Sequence, residues 1–248
     1  MPSYADLVQL DSPNRDSDER LAQLTKTLSQ STYTPPSGNN TYSVRVRAAS
    51  TQSSNNNDKL DDIKIHPNDY NRYGLKPLYS SSTIYYDPNQ KEYYERHKFN
   101  NNIVMIRYTD QNHATFYDLD AKNMRESAWR LNCDIDHTTD EIICAIEKSK
   151  LMLIKGSDLG FLLTVSQDFD NLKDNEYQFL KIDENPVAQT KLIFSGNTAL
   201  KIVNQMKVGT YAYTRFTEYA GTYEETLSLY GFSAAYDTMN LMYAGLSH

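Results

Sequence analysis

Cys133, His137 and Cys144 are the residues of this chain whose types could together hold a metal ion. Structural zinc sites use thiolate sulfur and imidazole nitrogen, and they need four such ligands, commonly with paired cysteines in a CxxC knuckle. The chain has only two cysteines, they do not form a knuckle, and no fourth ligand stands at a usable spacing. We therefore predict no metal site here.

A second metal-like pattern runs from Asp134 to Asp140, where acidic residues alternate with others. The spacing is similar to the start of a calcium-binding loop. However, Thr139 stands where the loop needs glycine for its sharp turn, and Ala145 stands where it needs a bidentate glutamate. The acidic run is better explained as the approach to a helix.

The patterns that could mark a nucleophile or a phosphate-binding loop are incomplete. In residues 156–160 (GSDLG), Ser157 stands one place too early for a nucleophile elbow, and residues 195–198 (SGNT) lack the glycine spacing of a P-loop. The five histidines lie in unrelated local contexts, and Asp118 and Asp120 suit solvated charges better than an acid–base pair. We predict no catalytic residue and no required cofactor.

Tyrosine dominates the aromatic residues, with 20 tyrosines against 8 phenylalanines and 1 tryptophan. A phenol packs as an apolar ring at neutral pH but ionises near pH ~10, and burial raises its pKa. Contacts built from tyrosine are therefore expected to hold at pH 7 and to fail in strong alkali. Two Tyr-Tyr pairs that lie among charged residues are the first candidates for such an alkaline switch: Tyr85, Tyr86, Tyr93 and Tyr94.

Composition limits the partners and the location of the protein. A net charge of −7 and a pI near 5.2, without a cluster of Lys and Arg, argue against binding to a nucleic-acid polymer. The sequence has no apolar run of transmembrane length and no signal-peptide pattern at its start. We expect no membrane partner, a cytoplasmic location and two reduced cysteines.

The N-terminal region is predicted to form a separate helical arm, residues 1–38. Asp16 and Glu19 have the spacing of a capping box that opens a helix over about 16–30, and Pro35 and Pro36 end the region. A helix with a narrow apolar seam is not stable alone in water, so it must lie either on its own body or on a neighbouring subunit. The seam residues, which are candidates for contacts between subunits, are Leu21, Leu24 and Leu28.

Residues 39–248 are predicted to form an α+β body in which a β-sandwich predominates. The signs of strands are short apolar or alternating runs bounded by Asn, Asp, Gly or Pro. Such runs lie at 41–49, 83–86, 103–108, 114–119, 151–155, 161–165 and 191–195. The periodicity of residues 211–243 does not decide between helix and irregular structure.

Capping signals predict two additional helices packed on this body. Thr138 and Glu141 form a capping box ahead of the first helix, and Asn197 is predicted to cap the second. The apolar positions of these helices are Ile142, Ile143 and Ile146 in the first, and Leu200, Val203 and Met206 in the second.

Two segments resemble the cypovirus polyhedrins, which crystallise around virus particles in infected insect cells. Residues 83–108 (TIYYDPNQKEYYERHKFNNNIVMIRY) are similar to an Ile-Tyr-Tyr-Pro-Asn turn that leads through a basic Lys-Phe segment into a strand. Residues 13–21 (PNRDSDERL) are similar to the start of the family's N-terminal helix, and the two segments occur in the family's order. The chain departs from the pattern by the insertion of Asp87 before Pro88.

The resemblance implies a projecting N-terminal helix on a β-sandwich body, trimers, and a crystal lattice in the host cytoplasm that encloses virions and dissolves in the alkaline insect gut. It also implies nucleoside triphosphates as lattice ligands, although no nucleotide-binding residue can be placed in this chain. Two alternatives remain open at this point. One is a soluble ligand- or partner-binding sandwich whose tyrosine-rich tail forms the binding surface, and the other is an enzyme whose site is assembled from distant residues.

Overall fold

The computed structural model describes residues 62–99, 102–109, 112–136, 139–157, 160–166, 172–173 and 175–247. The chain divides into two units, Met1–Val44 and Arg45–His248, and every described residue belongs to the second. The predicted helix over 16–30, its seam of Leu21, Leu24 and Leu28, and the predicted strand at 41–49 lie outside the described residues.

In the described part of the chain, ten strands form one large antiparallel sheet. The first nine lie side by side in chain order, and the tenth returns to pair with the ninth. The strands are β1 (Ile63–Lys64), β2 (Thr83–Asp87), β3 (Glu92–Lys98), β4 (Ile103–Tyr108), β5 (His113–Asp118), β6 (Trp129–Asp136), β7 (Glu141–Lys148), β8 (Leu151–Gly156) and β9 (Gly160–Thr164), followed after two further strands by β12 (Phe194–Ser195).

Four other strands form a small antiparallel sheet in the order β11-β10-β13-β14. These strands are β10 (Gln178–Ile182), β11 (Ala188–Thr190), β13 (Tyr211–Glu218) and β14 (Gly221–Ser228). Two α-helices complete the described body, α1 (Gly196–Val208) and α2 (Phe232–Leu246). The fold is thus a β-rich α+β fold, as the sequence predicts.

The core lies where the two helices pack against the sheets. Helix α2 contacts β6 and β7, whereas α1 contacts β9, β12, β10 and α2. Apolar side chains on one side of each helix face this core because they recur at helical spacing. They are Ala199, Ile202, Val203 and Met206 from α1, and Phe232, Ala235, Met239 and Met242 from α2.

The connection between β14 and α2 is held by a buried tryptophan. Trp129 donates its indole N–H to the carbonyl oxygen of Tyr230 at 3.0 Å, and its ring lies 5.1 Å from that of Phe232. Gly231 between them has φ of +87°, and a Cβ atom there would lie 3.2 Å from the side chain of Ile103. Glycine is required at this position for both its backbone conformation and its lack of a side chain.

The predicted helix after Thr138 and Glu141 is wrong. Residues Glu141–Lys148 form strand β7, which pairs with β6 on one side and β8 on the other. Ile143 and Ile146 are buried on opposite faces of the sheet, so the apolar run is continuous rather than alternating. Periodicity cannot separate a strand that is buried on both faces from a buried helix.

The second predicted helix is present with a different start and a different face. Its N-cap is Ser195, so Asn197 lies inside α1. Val203 and Met206 are buried as predicted, but Leu200 is 42% exposed and points away from the core. The predicted strand at 191–195 is shortened to Phe194–Ser195.

The other predicted strands in the described residues are confirmed to within one or two residues as β2, β4, β5, β8 and β9. The region from residue 211 onward, where the periodicity does not decide between helix and irregular structure, contains the β13–β14 hairpin and helix α2.

The prediction of two reduced cysteines is also wrong. Cys133 and Cys144 are directly opposed on β6 and β7, with Cα atoms 4.0 Å apart, and form a disulfide. The backbone N–H of Cys133 donates to the carbonyl oxygen of Asn112, on the edge of β6 that faces away from β7. Cys133 and Cys144 are therefore an opposed pair without backbone hydrogen bonds between them, and such pairs bring their side chains closest together. The sequence separation of 11 residues did not reveal this register.

Candidate functional site

The four predicted alkaline-switch residues lie together on the β2–β3 hairpin. The register places Tyr85 opposite Tyr94 and Tyr86 opposite Tyr93. The rings of Tyr85 and Tyr94 are stacked with centroids 5.4 Å apart, and those of Tyr86 and Tyr93 are 5.0 Å apart. Because neighbouring residues point to opposite faces of a sheet, one pair lies on each face of the hairpin.

Further tyrosines extend each pair across the sheet. On one face, Tyr108 of β4 lies opposite Tyr94, with ring centroids 6.0 Å apart. On the other face, Tyr73 lies 5.8 Å from Tyr93. We call the six residues Tyr73, Tyr85, Tyr86, Tyr93, Tyr94 and Tyr108 the tyrosine cluster. Sequence reasoning missed Tyr73 and Tyr108 because they reach the hairpin from separate segments.

Several phenols of the tyrosine cluster are held in their neutral form. Burial raises the pKa of Tyr94, and the hydroxyl reinforces this by donating a hydrogen bond to the carboxylate of Asp62 at 2.8 Å. Burial, with the charge of Asp87 nearby, raises the pKa of Tyr108 to about 12. Burial and the adjacent rings of Tyr73 and Tyr86 raise the pKa of Tyr93. Ionisation of one of these phenols therefore places a charge where the fold disfavours it.

A buried carboxylate directly follows Tyr93 and Tyr94 in sequence and organises the same hairpin. Glu95 of β3 has no exposed side-chain surface and forms a salt bridge with Arg107 at 2.8 Å. It also accepts hydrogen bonds from the backbone N–H groups of Leu78 and Tyr79, at 2.9 and 3.1 Å. The carboxylate thereby fixes the segment before β2 against strands β3 and β4, since a buried charge is stable only where its partners stay in place.

Ser82 and His97 complete this polar centre. The Ser82 hydroxyl lies 2.5 Å from Glu95 Oε1 and 3.2 Å from His97 Nδ1. The ring of Tyr79 stacks on His97 with centroids 4.2 Å apart, and its hydroxyl bonds Thr238 of α2 at 2.8 Å. Burial lowers the pKa of His97, although the charge of Glu95 opposes this effect.

The serine, histidine and glutamate are close, but their order does not suit nucleophilic catalysis. An activated serine gives its proton to the histidine, which is oriented by the acid through its other nitrogen. Here the single Ser82 proton is directed to Glu95, so the hydroxyl oxygen accepts from His97 Nδ1. The arrangement favours a structural role for all three residues.

Lys148 of β7 is a second buried charge, separated from the hairpin strand β3 by three strands of the large sheet. Its ammonium group donates to the carbonyl oxygen of Ser228 at 2.8 Å and lies 5.3 Å from the ring centre of Trp129. Burial lowers its pKa to about 8 in spite of the charges of Asp118 and Glu225. Sequence reasoning missed Lys148, Glu95 and Arg107, because their burial depends on which strands become neighbours.

Both cysteine sulfurs are bonded to each other, so neither is a thiolate that could bind zinc. Within the described ranges, no group of His, Cys, Asp and Glu side chains is arranged to hold a metal ion. Nor is any helix there long and apolar enough to cross a membrane.

Comparison of the chain with protein-family models, curated proteins and solved structures finds no match.

Proposed function

We propose that this chain is a structural protein that assembles into crystals around virus particles in the host cytoplasm, in the manner of the cypovirus polyhedrins. The observation that carries the proposal is the tyrosine cluster. Its members are packed in pairs, and the pKa values of Tyr93, Tyr94 and Tyr108 are raised. Such a group is neutral in the cytoplasm and becomes charged only in strong alkali, where an occlusion body must release its contents.

In this proposal the two sheets and the packed helices are the β-sandwich body, and residues 1–38 are the arm that joins subunits into trimers and a lattice. The disulfide between Cys133 and Cys144 is buried in the core, which limits its exchange with cellular thiols. The order of Ser82, His97 and Glu95 favours a structural role for these three residues.

The direct test is expression of the full chain in insect cells. We expect intracellular crystals that persist at pH 7 and dissolve above pH ~10, where tyrosine ionises. Crystals of a variant with phenylalanine at positions 85, 86, 93 and 94 are expected to dissolve at a higher pH, and Tyr219→Phe in the exposed β13–β14 turn is the matched control. Soluble protein at every expression level would overturn the proposal, and unchanged dissolution of the four-site variant would remove the tyrosine pairs as its trigger.

The arm is tested in the same cells. Deletion of residues 1–30, or replacement of Leu21, Leu24 and Leu28 by serine, is expected to abolish crystals while the circular dichroism of the body is retained. The double variant Gln23→Ser and Lys26→Ser, off the leucine seam, is the control. Normal crystals from the truncated chain would show that the arm does not connect subunits.

A nucleoside triphosphate needs several cations beside a ring on which its base can stack. Lys181 and Arg215, on the exposed face of the small sheet, lie beside aromatic rings, but each is already paired with a glutamate. That face does not fit a triphosphate. Nucleotide as a lattice ligand stays a prediction from the resemblance, and mass spectrometry of washed, dissolved crystals tests it.

A soluble partner-binding module is the second candidate. It is favoured by exposed tyrosines on β13, Tyr211 and Tyr213, since tyrosine gives a large contact area at low entropic cost. Intracellular crystals distinguish the two candidates, because a module of this kind has no reason to form them.

A further inference from the structure

The outer face of the small sheet is an exposed surface rich in tyrosine. Along β13, Tyr211, Tyr213 and Arg215 alternate with residues that are buried against the core. Tyr211 is 45% exposed and Tyr213 is 41% exposed, and their rings lie 6.5 Å apart. The register of the neighbouring strands brings further side chains to this surface, which we call the outer tyrosine face: Phe179, Lys181, Tyr211, Tyr213, Arg215, Glu224 and Thr226.

Each cation on the outer tyrosine face has both an aromatic ring and a carboxylate beside it. The guanidinium of Arg215 lies 4.3 Å from the ring centre of Phe179 and 3.9 Å from Glu224. The ammonium of Lys181 lies 5.9 Å from the ring centre of Tyr213 and 3.3 Å from Glu184. Two positive charges are thus balanced by two negative ones, and the face carries no excess of either sign.

The balance of charges on the outer tyrosine face favours one kind of partner over others. A single-stranded nucleic acid binds where aromatic rings lie in a positively charged groove, and an anionic membrane attracts a basic surface. Both would meet Glu184 and Glu224 here without a surplus of cations. A surface that carries both signs, by contrast, is complementary to a copy of itself turned about a two-fold axis. Tyr and Arg are also the residue types enriched at protein interfaces.

We propose that the outer tyrosine face is a contact between two copies of this chain, packed face to face about a two-fold axis. This contact rests on the proposed function in that it gives the assembly one of its repeating interfaces. The four strands have 3, 5, 8 and 8 residues. With strands about 4.8 Å apart and a rise of about 3.4 Å per residue, the face covers roughly 400 Å².

A pair of such faces buries about 800 Å² in total, which is below the size of a stable dimer interface and close to that of a lattice contact. The contact is therefore weak when alone and becomes effective when many copies repeat it.

Site-specific photo-cross-linking in expressing cells tests the contact in crystals and in solution alike. With p-benzoylphenylalanine in place of Tyr213, we expect a covalent dimer whose cross-linked peptide, identified by mass spectrometry, comes from the outer tyrosine face of the second copy. The same photoreactive residue in place of Tyr219, which is 67% exposed but lies in the β13–β14 turn, is the control. A dimer yield no higher than at position 219, or cross-links to nucleic acid or to another protein, would overturn the proposal.

A second measurement uses substitutions that keep the propensity of the strand. Replacement of Tyr211 and Tyr213 by threonine is expected to weaken self-association of the full chain at least about tenfold in sedimentation equilibrium, as expected for the loss of two interface tyrosines. A variant that keeps the circular dichroism of the parent and also associates as strongly as the parent would contradict the contact. Crystals in cells without the face-to-face cross-link would leave the proposed function intact and reject this interface. The cross-link without crystals would support this interface and reject the proposed function.

Discussion

The phenol of Tyr108 illustrates how a single residue of the tyrosine cluster responds to pH. Its pKa is raised from 10.0 to about 12, chiefly by burial. Because the folded state favours the neutral phenol, the associated stability is complete below pH 10.0 and is lost as the pH rises toward 12. Two pH units correspond to at most about 2.7 kcal/mol, and access of solvent to this half-buried phenol reduces the figure.

Tyr108→Phe is expected to remove this pH dependence. The free energy of unfolding of the variant, measured with urea, should fall about 1 to 2 kcal/mol less than that of the parent between pH 10 and 12. Tyr219→Phe, which changes an exposed phenol, serves as the control and should follow the parent curve. A parallel decline of the parent and Tyr108→Phe over this range would show that the phenol does not carry the effect.

At the scale of secondary-structure elements, strand β3 joins the tyrosine cluster to the buried polar centre. Tyr93 and Tyr94 pack against the tyrosines of β2, while Glu95 and His97 of the same strand hold the segment of residues 78–82. Strand β3 therefore connects the tyrosine cluster, where charge develops in alkali, to the buried carboxylate of Glu95, which holds the hairpin in place.

Glu95→Gln tests the importance of the buried carboxylate. Loss of one partner leaves Arg107 with an uncompensated charge, so we expect a loss of about 3 to 5 kcal/mol in urea unfolding at pH 7. Hydrogen exchange should also accelerate at the amides of Leu78 and Tyr79. Glu184→Gln removes a salt bridge in which the glutamate is 97% exposed, and it should cost less than about 1 kcal/mol. Equal losses in the two variants would contradict the role of Glu95.

The same elements show what the sequence can and cannot predict. Strand β4 was predicted with its observed bounds because its apolar run is short and is bounded by polar residues. Strand β7 was predicted as a helix because both of its faces are buried. The four hairpin tyrosines stand out in the sequence as two Tyr-Tyr dipeptides among charged residues, but only the register shows which tyrosines face each other. The site of Glu95 combines Arg107 with backbone groups from residues 78 and 79, and no local pattern records that contact.

For the molecule as a whole, alkali changes the charge balance in one direction. The chain has 15 lysines and 10 arginines against 32 acidic residues and 20 tyrosines. Complete loss of lysine charge and ionisation of every tyrosine would leave 10 positive groups against 52 negative ones, since 32 and 20 sum to 52. Repulsion of this kind acts on contacts between copies as well as on the fold itself.

Lys148 opposes this alkaline loss of stability over a limited range of pH. Its pKa falls from 10.5 to about 8 on folding, so the folded state disfavours the charged lysine. The resulting cost is present below pH 8 and is relieved as the pH rises to 10.5, which adds about 3 kcal/mol of stability over that interval.

Lys148→Met is expected to abolish this rise in the free energy of unfolding between pH 8 and 10.5. At pH 7 its net effect should be small, because relief of the buried charge is offset by the unpaired Ser228 carbonyl oxygen and the lost contact with Trp129. Urea unfolding at one-unit pH intervals measures both. Lys150→Met, two residues away in the exposed β7–β8 turn, is the control, and a rise that persists in Lys148→Met would assign the effect to another group.

The order of strands in the large sheet also bears on how the protein is made. Strands β1 to β9 lie side by side in the order in which a ribosome synthesises them, so each new strand finds its partner already in place. Pairing between sequence neighbours is fast, and it shortens the time for which an open strand edge is exposed. If the chain accumulates to the concentration of a crystal, as proposed, the cell contains many nascent copies at once. Pairing in order of synthesis protects those copies from joining one another through unfinished sheets.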